Sequence, residues 1–173
     1  MKKALSNEFC ADLQSAYGLF CLWDAKFFRH IRTADDWDRT FSCQQQLERY
    51  IHQRHLVPIY FYGYGHYYFE VRAIKSLTEQ ELAVNPLISQ PYCIHSGGYL
   101  ALSGVEYIGS TKDAHYHRVL MKTKPGDYQV RIALLAGKDT APKEERFIDA
   151  VVLLENIVSG EIYRTSASTF YPI

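Results

Sequence analysis

Asp113, His115 and His117, spaced two residues apart, hold the sharpest chemical possibility in this sequence. On a strand, positions i, i+2 and i+4 share a face, so a carboxylate and two imidazoles there form a weak candidate metal-ligand set for a metal-dependent hydrolase. A solvated strand face gives the same pattern, and a further ligand would have to come from elsewhere, with His66 or His95 as the available histidines. No cofactor is assigned on this basis. Nucleophilic catalysis needs a serine or cysteine held against a base. Ser96 follows His95, but neighbouring strand residues face opposite ways and the Gly-x-Ser-x-Gly elbow is missing. Neither Gly-x-x-x-x-Gly-Lys-Ser/Thr nor a strand-bound Gly-x-Gly-x-x-Gly occurs, so the glycines are read as turn punctuation. No catalytic residue is assigned, and the chain reads as non-enzymatic.

Other residues suit binding. Tyr60, Tyr62, Tyr64, Tyr67 and Tyr68, with His66, crowd into residues 56–74. Two β-rich runs flank Gly63, Tyr64 and Gly65 there, which predicts a central hairpin. Its rings exceed what one core face can hold. Tyr60, Tyr62, Tyr64, His66 and Tyr68 are therefore the partner-binding candidates, with Tyr64, between two glycines, the least suited to a core. Such rings anchor a protein partner or stack on sugars, so a carbohydrate- or small-ligand-binding sandwich is the alternative.

The elements that must position these residues read mainly as strands. Residues 17–23 form a short apolar run, a first buried strand. From Thr33, a capping residue with Asp35 and Asp36 in the first turn, one substantial helix is predicted over about 34–52, with Trp37, Phe41, Leu47, Tyr50 and Ile51 on one face. Pro58 lies near the start of the next strand, where its missing amide donor is tolerated if the strand begins at an edge. A helical turn over 76–82, capped by Thr78 or Ser76, stops at Asn85 and Pro86. Strands over 93–95 and 99–105 surround the reversal signal of Ser96, Gly97 and Gly98, and another spans 115–123. Lys124, Pro125, Gly126 and Asp127 make a turn into a clean alternation, with Tyr128, Val130, Ile132 and Leu134 facing one way. Residues 137–143 are a loop and 143–146 a charged surface patch. The segment 144–158 fits helix or strand by periodicity, and the tail 160–173 suits an edge strand.

With 173 residues, 47% of them hydrophobic, one domain spanning 1–173 is expected. Acidic and basic side chains balance at 19 each, so no global field draws a nucleic acid. Ser6, Asn7, Glu8 and Asp12 interrupt any signal-peptide core and no lipid-length apolar run follows, which predicts a cytoplasmic protein without a membrane span. Cys10, Cys21, Cys43 and Cys93 lack Cys-x-x-Cys spacing and are expected as reduced, mostly buried thiols.

Lys124-Pro125-Gly126-Asp127-Tyr128-Gln129-Val130, followed about twenty residues later by Phe147-Ile148-Asp149-Ala150-Val151, resembles the competence protein J family. These are small bacterial β-rich inhibitors of a DNA-entry nuclease, and immunity-like proteins share the pattern. The resemblance covers residues 99–154, where the strand at 99–105 and the one leading to Met121 keep the expected order. It implies a β-sandwich, two-layer and mostly antiparallel; the helix near 34–52, which is read from capping and spacing and has no counterpart in that family, makes the expected fold mainly β, α+β. With the β-branched content, it also favours strand for 144–158. The function implied is binding a protein target, as an inhibitor that occludes a bacterial nuclease or other toxin.

Overall fold

The computed structural model describes residues 8–61, 63–73, 76–110, 117–135, 148–157, 163–167 and 169. Among them are ten strands: β1 (Glu8–Ser15), β2 (Leu19–Asp24), β3 (Leu56–Tyr60), β4 (Gly65–Arg72), β5 (Leu87–Ile88), β6 (Tyr92–Ser96), β7 (Tyr99–Gly104), β8 (Arg118–Lys122), β9 (Gly126–Leu134) and β10 (Ala150–Asn156). They form a six-stranded sheet, β1-β4-β10-β9-β5 with β6 also on β9, and a four-stranded sheet, β3-β2-β7-β8. Every pairing is antiparallel except β10 on β4. The expected mainly β sandwich is present, and Pro58 sits on the edge strand β3.

Period-two alternation builds the core. Phe20, Leu22, Leu100 and Leu102 of the smaller sheet meet Leu13, Phe69, Val130, Ile132 and Val152 of the larger one in a single buried cluster. The intervening residues of β2 face away, where helices cover them. Trp23 lies edge-on to Phe28 and its indole donates to Ser103 Oγ at 3.0 Å.

That helical layer departs from expectation. The helix predicted over 34–52 is two: α1 (Ala34–Phe41) and α2 (Gln44–His52). Thr33 caps α1 as predicted, accepting from the Asp36 amide while Asp36 accepts from the Thr33 and Arg32 amides. The Arg32 amide, then the Thr33 hydroxyl, hold the Asp36 carboxyl below the ordinary carboxylate range. At the break, Ser42 donates through its amide and hydroxyl to Gln46 Oε1, and Cys43 is extended. Local side-chain bonds of this kind compete with helix continuation.

A larger correction concerns the turns. Gly63-Tyr64-Gly65 does not close a hairpin, because β3 belongs to the small sheet and β4 to the large one. The β6-to-β7 and β8-to-β9 connections likewise switch sheets, as does β1-to-β2. These four links, three of them with glycine between the strands, are therefore arches over the edge of the sandwich. Strand β1 was not anticipated, and among the described tail residues no strand forms. Thr169 instead bonds the β3 edge through its hydroxyl. Residues 136–147, which include the expected loop and charged patch, lie outside the described residues, while the strand expected within 144–158 is present as β10.

On the outer face of the large sheet, the short helix α3 (Glu79–Ala83) has the expected Thr78 cap but buries none of its own residues. Its attachment is ionic. Arg72 donates to Glu70 at 2.5 and 2.8 Å and to Glu81 at 2.6 and 2.8 Å. Beside this latch Leu77 packs on Ala133, Val151 and Leu153.

Candidate functional site

Two of the arches lie side by side at one end of the sandwich. The Phe61 amide donates to the Gly18 carbonyl at 2.8 Å, tying the β3–β4 link to the β1–β2 link. Beneath them Phe61 stacks on Tyr67 at 3.9 Å, Phe20 packs edge-on to both rings and Phe69 edge-on to Phe61, and Phe20 and Phe69 are tilted against each other. The Tyr67 hydroxyl donates to the Gly63 carbonyl at 2.9 Å. Glu106 braces the first arch, accepting from the Ala16 amide at 2.7 Å and the Ser15 hydroxyl at 3.1 Å. On this base, among the described residues, three rings face solvent: Tyr64 is 83% exposed, Tyr17 66% and Tyr60 42%.

Of the partner-binding candidates, Tyr60 and Tyr64 thus share one end. His66 and Tyr68 lie along β4; His66 is exposed beside Asp12 at 3.4 Å, and Tyr68 is half-buried opposite Asp12 in register. Tyr62 falls outside the described residues. Sequence reasoning passed over Tyr17. Its signal was the same as that of Tyr64, an aromatic side chain next to a glycine between two strands.

Next to Tyr17 and Tyr60, a groove of about 540 Å³ opens between the small sheet and the helix pair, with Trp37, Phe41 and Leu47 on its helical wall. The Trp37 indole donates to the Val105 carbonyl at 2.9 Å, which fixes the ring.

The metal candidates are only partly visible. Asp113 and His115 lie outside the described residues, and His117 stacks on Tyr107 at 4.3 Å. Among the described residues no group of three or more His, Cys, Asp or Glu is placed to hold a metal ion. Ser96 and His95 diverge as strand neighbours must: Ser96 is buried, 2.5 Å from the Thr123 hydroxyl, while His95 is exposed, 2.7 Å from Asp127. All four cysteines are free, with Cys21 and Cys93 buried and Cys10 and Cys43 exposed, fewer buried than expected. Burial pushes the Cys21 thiol well up, with Glu106 adding to it, and burial raises Cys93 too. Neither is a ready nucleophile.

At the other side of the helix layer, His55 stacks on Phe27 at 3.6 Å and its Nδ1, 3.8 Å from the buried Asp24 carboxylate, has no hydrogen-bond partner. Burial holds His55 below its usual value; Asp24 opposes this and His95 adds to it. A folded value below the unfolded one means that the unfolded chain binds the proton first as pH falls. Stability is therefore expected to drop from about pH 6.5 downward until the folded imidazole also titrates. Thermal melts between pH 7.5 and 5.5 should show a steeper loss for the native chain than for His55→Phe, which keeps the stacking; equal slopes would remove His55 from this role.

No family model and no curated protein matches the chain. Two solved structures share its fold. One is described as "Crocagin biosynthetic gene J", with a TM-score of 0.53 and 16% identity over 87% of this chain and 96% of that one. The other is ComJ from Bacillus subtilis, an inhibitor of the DNA degrading activity of NucA, with a TM-score of 0.50 and 11% identity over 89% of this chain and all of that one. The sequence resemblance to the competence protein J family is thus matched by a likeness of fold that extends well beyond residues 99–154.

Proposed function

We propose that this protein acts non-enzymatically by binding another protein, as an immunity-like inhibitor that occludes a bacterial nuclease or other toxin. The observation that carries this reading is the set of exposed rings, Tyr17 and Tyr64 on two mutually bonded arches and Tyr60 at the end of β3. Rigid aromatic side chains on a preformed base bring contact area with little ordering cost, as interface anchors require. The fold shared with ComJ supports inhibition as the use of that surface. Balanced charge favours a partner met through shape over a polyanion met through field. Four free thiols suit a reducing cytoplasm, no described helix is long and apolar enough to cross a membrane, and residues 1–173 act as one unit in this reading.

Affinity capture of the tagged chain from bacterial lysate, with partners identified by mass spectrometry, tests this. A single stoichiometric nuclease or toxin is expected, with its activity suppressed in the complex. Tyr64→Ala should then weaken that complex by about 1 kcal/mol or more, roughly fivefold in Kd, while leaving Tm unchanged. An unaltered Kd would reject Tyr64 as an anchor, and the absence of any specific partner would reject the inhibitor reading itself.

A further inference from the structure

We infer that the groove between the helix pair and β2–β3 binds an uncharged, largely aromatic small molecule. Its volume of about 540 Å³ falls in the range of roughly 300–1,000 Å³ typical of small-molecule sites, and its walls are apolar and aromatic as such sites are. Among the described residues, none that lines it is acidic or basic. A phosphate, carboxylate or ammonium would be desolvated there without a counter-charge, which selects a neutral occupant. Trp37 and Phe41, 5.6 Å apart and inclined at 45°, form an aromatic wall that suits tilted or edge-on ring packing. Because the Trp37 indole N–H is already committed to Val105, that wall offers ring faces and edges for contact. Polar contact is limited to the Tyr17 and Tyr60 rings, the Cys43 thiol and Gln44 at the rim, the few orienting groups that such a site needs. The helical wall is set in advance by the Thr33 cap and by the Ser42 bonds to Gln46, so little order has to be gained on binding.

Tyr64 does not line the groove, so this site can be tested apart from the protein-binding reading. Nile red, an uncharged polycyclic aromatic dye, is the probe. Titration into the full chain should give a saturable fluorescence increase at one dye per chain, unchanged in Tyr64→Ala. Cys43 is exposed and makes no capping bond, so Cys43→Trp should fold while filling the groove, and should weaken dye binding at least tenfold. On the unmodified chain, dye should slow iodoacetamide alkylation of Cys43 and leave the exposed Cys10 at its own rate. Absence of saturable binding, or dye binding indifferent to Cys43→Trp with Cys43 unprotected, would overturn the assignment. Protection of Cys43 by a captured protein partner, with no dye bound by the free chain, would also overturn it and make the groove a seat for that partner.

Discussion

Arg72→Leu is expected to cost about 3–5 kcal/mol of unfolding free energy, measured by urea denaturation at pH 7. The Arg72, Glu70 and Glu81 side chains are only 7, 7 and 11% exposed, so removing the guanidinium strands two carboxylates in a site that water barely reaches. By accepting hydrogen bonds from the guanidinium, Glu70 first and then Glu81 raise the Arg72 pKa above its ordinary value. Burial pushes Glu81 up, but the Arg72 and Thr78 bonds outweigh it and hold the carboxyl below its usual range. In the native chain Glu81 thus contributes stability above its unfolded value near 4.5, and that contribution is lost as pH falls through the lower folded value. The variant should behave oppositely relative to the native chain. Its deficit should narrow as acid neutralises the stranded carboxylates. Replacing all three residues by apolar ones of similar volume should recover most of the loss, since a buried ion cluster is costly mainly when broken. A deficit below about 1 kcal/mol, the range of an exposed pair, would show that α3 is not held by this latch.

Gly18→Ala should be the other severe substitution, lowering stability by about 2–5 kcal/mol through backbone strain and overpacking together. Gly18 has φ +65°, and a Cβ there would sit 2.5 Å from the Gly63 carbonyl oxygen and 2.8 Å from that of Phe61. Those are backbone atoms that cannot swing aside as a side-chain end could. Gly98 separates the two effects: its φ of +115° is at least as unfavourable for alanine, yet a Cβ there meets nothing within 4 Å. Gly18→Ala should therefore cost more than Gly98→Ala in matched thermal melts. If the order is reversed, the close approach of the two arches is not a strong constraint. Because the arches carry Tyr17 and Tyr64, Gly18→Ala should also weaken partner capture beyond what the fall in stability explains.

Local pattern was legible where one rule governed. The alternation of Tyr128, Val130 and Ile132 gave β9, Thr33 with Asp35 and Asp36 marked one helix start, and of Ser76 and Thr78, both able to cap the next, the structure uses Thr78. Strand β1 carried the same period-two signal, with Ala11 and Leu13 inward and Asp12 and Gln14 outward, but its polar half obscured it. What a glycine link joins could not be read. Gly63 and Gly65 signal a reversal equally well for a hairpin within one sheet and for an arch between two, and the choice is made by distant partners: β4 pairs with β1 and β10, β3 with β2. The same ambiguity hid the site, since the links that carry Tyr17 and Tyr64 are tied together only by the Phe61-to-Gly18 bond between the two arches. The break between α1 and α2 turned on Ser42 bonding Gln46, a contact that helix periodicity does not register.

The arches also set how this chain must acquire its structure. Among the described residues no tight hairpin joins successive strands: β7 with β8 and β9 with β10 pair across long links, and the other ladders join segments farther apart in sequence, a contact order that places folding in the slow, millisecond-to-second regime of β-rich domains. Strand β10 sits between β4 and β9, so during synthesis the larger sheet stays in two unconnected parts until Ala150–Asn156 has left the ribosome. Until then the edges of β4 and β9 that β10 will occupy are open to pairing with other chains, the stage at which a protein of this topology is most exposed to aggregation.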